Sequence, residues 1–156
     1  VQTVVNALAT SQLDPRRLEL EITESLLLDA SDSVLGALHH LRALGVRISL
    51  DDFGTGYSSL GYLQSFPFDK IKIDRAFIKN LGIVQSATDI VKAIVNLAQA
   101  LKMSITAEGV ETEQQLDLAR ESGCTEFQGY LFSRPRPAQE IETLFLTKSE
   151  ALGTAA

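Results

Sequence analysis

The sequence predicts an α/β fold, a partial (β/α) barrel of about five strand–helix units. One observation behind this is a run of short β-like segments that each end in acid or amide groups, around Glu21, Asp51-Asp52, Asp74, Glu108 and Gln128. A second is that helical patterns separate those segments, as parallel strands require, because antiparallel neighbours need only short turns. The third is alternation within the segments. Leu18, Leu20 and Ile22 oppose Glu19 and Glu21, while Ile71 and Ile73 oppose Lys70, Lys72 and Asp74. Parallel strands covered on both faces read as continuous apolar runs. These do not, so the apolar parity is expected to pack on outer helices and the polar parity to line a shared interior. An antiparallel sheet with one wet face is the alternative, and the intervening helices weigh against it.

The elements follow in order. Val4 to Ala9 reads as the end of a helix, Ser11 to Pro15 as a turn, and Leu18 to Ile22 as the first strand. Ser31 is placed to cap a helix running to about Leu44, with Val34, Leu35, Leu38 and Leu41 at helical spacing and Gly45 closing it. Val46 to Leu50 is the second strand, Ser58 to Gln64 a short helix ahead of Pro67, and Lys70 to Ile73 the third strand. A helical turn follows Asp74, and Ser86 to about Leu101 is the strongest amphipathic helix. Ser104 to Ala107 is the fourth strand. Thr112 and Gln115 have capping-box spacing and open a helix to about Ser122. Glu126 to Leu131 is the fifth strand, a last helix follows Pro137, and the tail from Thr147 is small and polar. The domain is therefore expected over residues 1–146, with 147–156 as a flexible tail.

Composition narrows the function classes. With 156 residues, 45% hydrophobic and 22% charged, the chain suits one globular domain with a real core. A net charge of −6 argues against long nucleic acids, which need a basic footprint. A small anionic ligand fits only where bound cations reverse the local sign. The lone Cys124 excludes an internal disulfide, suits a reducing compartment and reads as a small buried hydrophobe. The sequence holds no bilayer-spanning apolar stretch and no signal peptide, so a cytoplasmic domain is expected, within a parent that can itself be membrane-anchored. It opens Val1-Gln2-Thr3 and its only methionine is Met103, so a piece of a longer protein is expected.

Parallel strands gather their C-terminal ends at one rim, where a (β/α) barrel keeps its chemistry. Carboxylates gathered there repel one another unless divalent cations sit among them. Asp51 and Asp52 offer hard oxygen ligands at neighbouring positions, and Glu21 and Glu108 can complete the shell. Taken singly, an Asp-Asp pair is more often a cap or turn, and each glutamate can equally be a salt-bridge partner. Lys72 lies on an interior face, where it can hold a phosphate oxygen or orient water; its plain alternative is an ion pair with Asp74 or Glu108. His39 and His40, mid-helix, are not candidate ligands. Arg134 and Arg136 flank Pro135 in a helix-entry segment.

Several motifs go further. The strings Glu19-Leu20-Glu21-Ile22-Thr23-Glu24-Ser25 and Asp51-Asp52-Phe53-Gly54-Thr55-Gly56-Tyr57-Ser58-Ser59-Leu60 closely resemble the EAL domain family. So do Ile71-Lys72-Ile73-Asp74, Ala107-Glu108-Gly109-Val110-Glu111-Thr112 and Gln128-Gly129-Tyr130-Leu131-Phe132, all in family order. The resemblance implies a TIM-like barrel that opens cyclic di-GMP to linear pGpG by two-metal hydrolysis with Mg²⁺ or Mn²⁺. It implies metal ligation by Glu21, Asp51, Asp52 and Glu108, with catalytic roles for Lys72, Glu108 and Glu111. It also implies that Gln128 lines the substrate site and that Glu24 holds the Asp-Asp-Phe-Gly loop. The Glu-Ala-Leu motif that names the family is missing from its place in family order ahead of Glu19, the tripeptide Glu150-Ala151-Leu152 lying in the C-terminal tail, and the asparagine after the next strand is missing too. Impaired activity of this stretch alone is therefore expected. The alternatives are a non-catalytic cyclic di-GMP receptor, or a fragment that forms homo-oligomers through open barrel edges. A sensor domain is expected in the parent protein.

Overall fold

The computed structural model describes residues 1–24, 26, 31–54 and 60–141. Within them one five-stranded, all-parallel sheet runs in chain order: β1 Glu19–Thr23, β2 Arg47–Phe53, β3 Lys70–Ile73, β4 Ser104–Glu108 and β5 Glu126–Gln128. Neighbours in sequence are neighbours in space, as short βα connections favour. The helices are α1 Gln2–Ser11, α2 Asp32–Ala43, α3 Leu60–Ser65, α4 Arg75–Lys79, α5 Gln85–Ala100 and α6 Glu113–Glu121, with a 3₁₀ turn at Pro15–Arg17.

Alternation decides which face is dry. Ile48, Leu50, Ile71, Ile73, Ile105 and Ala107 are all buried on the helix side of the sheet. They meet Val91, Ile94, Val95 and Ala98 of α5 and Leu38 of α2 in one core. Each fully buried branched side chain stabilises the fold by about 1.5–3 kcal/mol. The opposite parity is also largely buried although it is polar: Ser49, Lys70, Lys72 and Thr106 are all below a tenth exposed. That is the interior expected of a curling (β/α) sheet.

The main departures from the predicted elements are at two strand ends and one helix cap. β2 runs on through the acid pair to Phe53, because a bulge lies between Leu50 and Phe53. β5 stops at Gln128 rather than Leu131. There Val110 donates its N–H to the Gln128 carbonyl and accepts from Leu131 N–H, both at 3.0 Å, which folds the chain over the rim. Gly129 permits this approach, since a Cβ there would collide with the Val110 backbone. Ser31 does occupy the N-cap of α2, yet its hydroxyl pairs with Ser33 Oγ at 2.7 Å and makes no capping bond. The Thr112–Gln115 capping box forms fully. A helical turn opens at 138–141. The rest of the predicted last helix, the tail from Thr147, and the Ser58 start of the short helix lie outside the described residues.

Candidate functional site

The strand ends place the site. Lys72, near the end of β3, points into the interior and is almost wholly buried. Its Nζ lies 2.6 Å from Glu21 Oε1 on β1, 2.6 Å from Glu108 Oε1 on β4 and 3.1 Å from Asp51 Oδ1 on β2. One ammonium thus draws carboxylates from three strands to one point. Burial opposes its charge, but hydrogen bonds to Glu108 and Glu21 and the nearby Asp51 carboxylate outweigh that, and its pKa is raised above the ordinary lysine value. Lys72 therefore stays protonated at neutral pH. Asp74, the other partner considered for it, instead caps α4 by accepting from Ala76 N–H at 2.8 Å.

The second feature is the bulge. Leu50 sits opposite Ile71 and Phe53 opposite Ile73, so β2 spends one more residue than β3 over the same span. Asp52 takes up the excess with φ 54°, a left-handed conformation that aspartate tolerates better than branched residues. Plain alternation would send Asp51 and Asp52 to opposite faces. The bulge returns both to one side: a carboxylate oxygen of each lies within 4.8 Å of the other and of one on Glu108. Glu21 is held on Lys72 and does not belong to that trio.

Charge crowding shows in the acids. Burial pushes the Asp52 carboxyl up, and Asp51 and a hydrogen-bonded Asp74 push it further, with Lys72 pulling weakly down. Burial likewise raises Glu108; Lys72 pulls it back, but Asp51 and Glu21 add to the rise. Asp51 Oδ1 is buried and, despite its closeness to Lys72, makes no hydrogen bond of good geometry. A buried carboxylate oxygen with an ion-pair contact but no well-formed hydrogen bond, close to two other carboxylates, suits a divalent cation.

Beside the trio opens a cleft of about 540 Å³, walled by Asp52, Asp74, Glu108, Glu111, Gln128 and Tyr130 among others. Glu111 and Gln128 stand on its rim and do not touch Lys72. The Gln115 side chain accepts from the backbone N–H of Glu111 at 2.8 Å, so the α6 capping box also fixes Glu111. Glu24 is buried away from the cleft and accepts from Gly54 N–H at 3.2 Å. Asp74 and Tyr130 line the cleft as well, though the sequence reading gave them no place in the site. For Asp74 a signal existed, since it continues the Lys70–Lys72 parity past the strand end. Outside the site, His39 and His40 are exposed and Cys124 is buried, its thiol pushed up to about 11 by burial. Arg134 stacks over the Tyr130 ring at 4.7 Å, and Arg136 pairs with Glu140 at 3.4 Å.

The sequence pattern of the EAL domain matches residues 1–135. The chain belongs to the EAL domain family. EAL relatives include the cyclic di-GMP phosphodiesterase NbdA of Pseudomonas aeruginosa, 48% identical over 142 residues, which are 91% of this chain and 18% of NbdA. The solved c-di-GMP complex of the MucR phosphodiesterase from the same organism superposes with a TM-score of 0.84 at 47% identity, covering 90% of this chain and 57% of that one. The manganese/cy-diGMP complex of Klebsiella pneumoniae BlrP1 gives 0.80 at 34% identity, over 86% of this chain and 34% of that one. The chain thus spans about a fifth of the length of the curated EAL relatives it matches. Among the described residues no helix is long and apolar enough to cross a membrane.

Proposed function

We propose that this EAL domain hydrolyses cyclic di-GMP to linear pGpG with two Mg²⁺ or Mn²⁺ ions. The observation that carries the reading is the convergence of Asp51, Asp52 and Glu108 beside the cleft, with a buried Asp51 oxygen that makes no well-formed hydrogen bond. All-oxygen donors suit hard divalent cations. Asp51, Asp52 and Glu108 would hold them, with Glu21 joining on release from Lys72. When bound, such ions supply a water acidic enough to attack at neutral pH and charge that offsets the phosphate oxygens.

The chain's own residues do the rest. Lys72, kept protonated by its three carboxylates, serves as a fixed cation toward a phosphate oxygen rather than as a base. Glu24 restrains Gly54 and with it the bulge that aims Asp51 and Asp52. Gln128 and Glu111, on the cleft wall, orient the dinucleotide and its attacking water. The relatives' greater length supports a place for this domain within a longer, multidomain protein. Among the described residues β1 and β5 each pair on one side only, so further strands of the barrel or a second copy would cover those edges.

The test is turnover by the intact protein with Mg²⁺ or Mn²⁺, beside Glu108→Ala. Appearance of pGpG that falls at least about a hundredfold in the variant supports the reading. A second reading, a receptor that binds cyclic di-GMP without cleaving it, is favoured by the hold of Lys72 on Glu21, Asp51 and Glu108. Binding with no product would select it.

A further inference from the structure

Beneath the site lies a second ionic layer that the proposed chemistry does not use. Lys70 Nζ is 2.8 Å from Glu19 Oε2 on β1 and 2.7 Å from Glu126 Oε2 on β5, with Thr106 Oγ1 within 3.5 Å of the same Glu126 oxygen. The Lys70 side chain is only 9% exposed, so this ammonium is committed to the interior. It does not join neighbouring strands. It spans β1 and β5, the two outer strands of the sheet, across the concave face above β2 and β4.

Its partners stand in a fixed relation to the site. Glu19 lies two residues before Glu21, Lys70 two before Lys72 and Glu126 two before Gln128, each on the same face of its strand. Two residues along a strand rise about 7 Å. The lower layer therefore sits one step under the upper one on every strand it touches. Backbone hydrogen bonds fix each strand to its neighbours, but twist and curl leave the distance between β1 and β5 to interior side chains. Without the Lys70 charge, Glu19 and Glu126, with side chains 25% and 44% exposed, would face each other with no cation between them and push those strands apart.

We propose that Lys70 is a positioning residue: by clasping Glu19 and Glu126 it sets the span between β1 and β5 under the site carboxylates, and so sets their affinity for divalent cations. This rests on the reading of Asp51, Asp52 and Glu108 as a metal centre. Lys70 touches none of those three, so a change in their affinity has to travel through strand placement.

The experiment is a Mn²⁺ titration of the intact protein, followed by calorimetry and by the spin-resonance signal of free Mn²⁺. Wild type is compared with Lys70→Met, Glu126→Gln and the charge-neutral Lys70→Met/Glu19→Gln/Glu126→Gln, each checked for folding by circular dichroism. Lys70→Met is expected to weaken Mn²⁺ binding about tenfold, as loss of a residue that orients metal ligands does. The neutral triple variant is expected to recover part of that loss, because the repulsion is gone. Glu126→Gln, which spares Lys70 and its bond to Glu19, keeps the test decisive where Lys70→Met does not fold; it is expected to weaken binding severalfold. Folded Lys70→Met or Glu126→Gln protein with wild-type Mn²⁺ affinity and only a lower melting temperature overturns the proposal. Wild type that binds no Mn²⁺ overturns the metal-centre reading itself.

Discussion

Asp52 and Glu108 bind their protons more tightly in the folded chain than free carboxyls do. A carboxyl whose folded pKa is raised favours folding while protonated, and that stability is lost as pH rises from the ordinary carboxyl value of about 4 through the raised one. Lys72 acts with the opposite charge but only in alkaline solution, where its raised pKa keeps stability that falls away as pH climbs through it. In chelator, therefore, the melting temperature should fall over the interval above the ordinary carboxyl value of about 4. With saturating Mn²⁺ the same acids bind metal instead of protons, and melting should rise over that interval, by about 2.7 kcal/mol of added stability at a hundredfold excess over Kd. Thermal scans in EDTA and in Mn²⁺ across that range measure both slopes; parallel slopes would show that these acids do not meet the metal. Much at this scale was legible in the sequence. The parity of Lys72 with Asp74, and of Thr106 with Glu108, assigns their face directly. The capture of Glu21 by Lys72 was not legible, because strand parity does not give the distance across a curled sheet.

The element that decides the site is the bulge in β2. Nothing in Leu50-Asp51-Asp52-Phe53 separates a bulged strand from a plain one, since β2 gains its extra residue only relative to β3. The conformation of Asp52 gives a test that splits its two roles. Asn tolerates a left-handed backbone but binds metal poorly, whereas Val tolerates neither. Asp52→Asn should keep stability within about 0.5 kcal/mol while losing Mn²⁺ affinity. Asp52→Val should lose affinity and about 1–3 kcal/mol of stability as well. Chemical denaturation of both variants checks this, and equal stability would remove backbone strain from the account. The end of β5 was hidden for a related reason. Apolar residues continue to Leu131, but Val110 on another element takes the hydrogen bonds that would have extended the strand.

At the scale of the molecule, sheet order and helix placement followed from the alternation of βα patterns and from polar parities too regular for a surface. The two stacked interior layers did not, because only a sheet curled to a particular width lets Lys70 and Lys72 each reach a partner on β1. That curl lets acids that would repel on a flat sheet share a few ångströms of space beside a cleft. The central claim is that this space is a divalent-metal centre. It is tested most directly by anomalous diffraction at the manganese edge from crystals of the intact protein grown with Mn²⁺ and cyclic di-GMP. The account predicts anomalous peaks bounded by Asp51, Asp52 and Glu108 with a ligand phosphate beside Lys72. Ordered cyclic di-GMP in the cleft with no peak among those three carboxylates would contradict it.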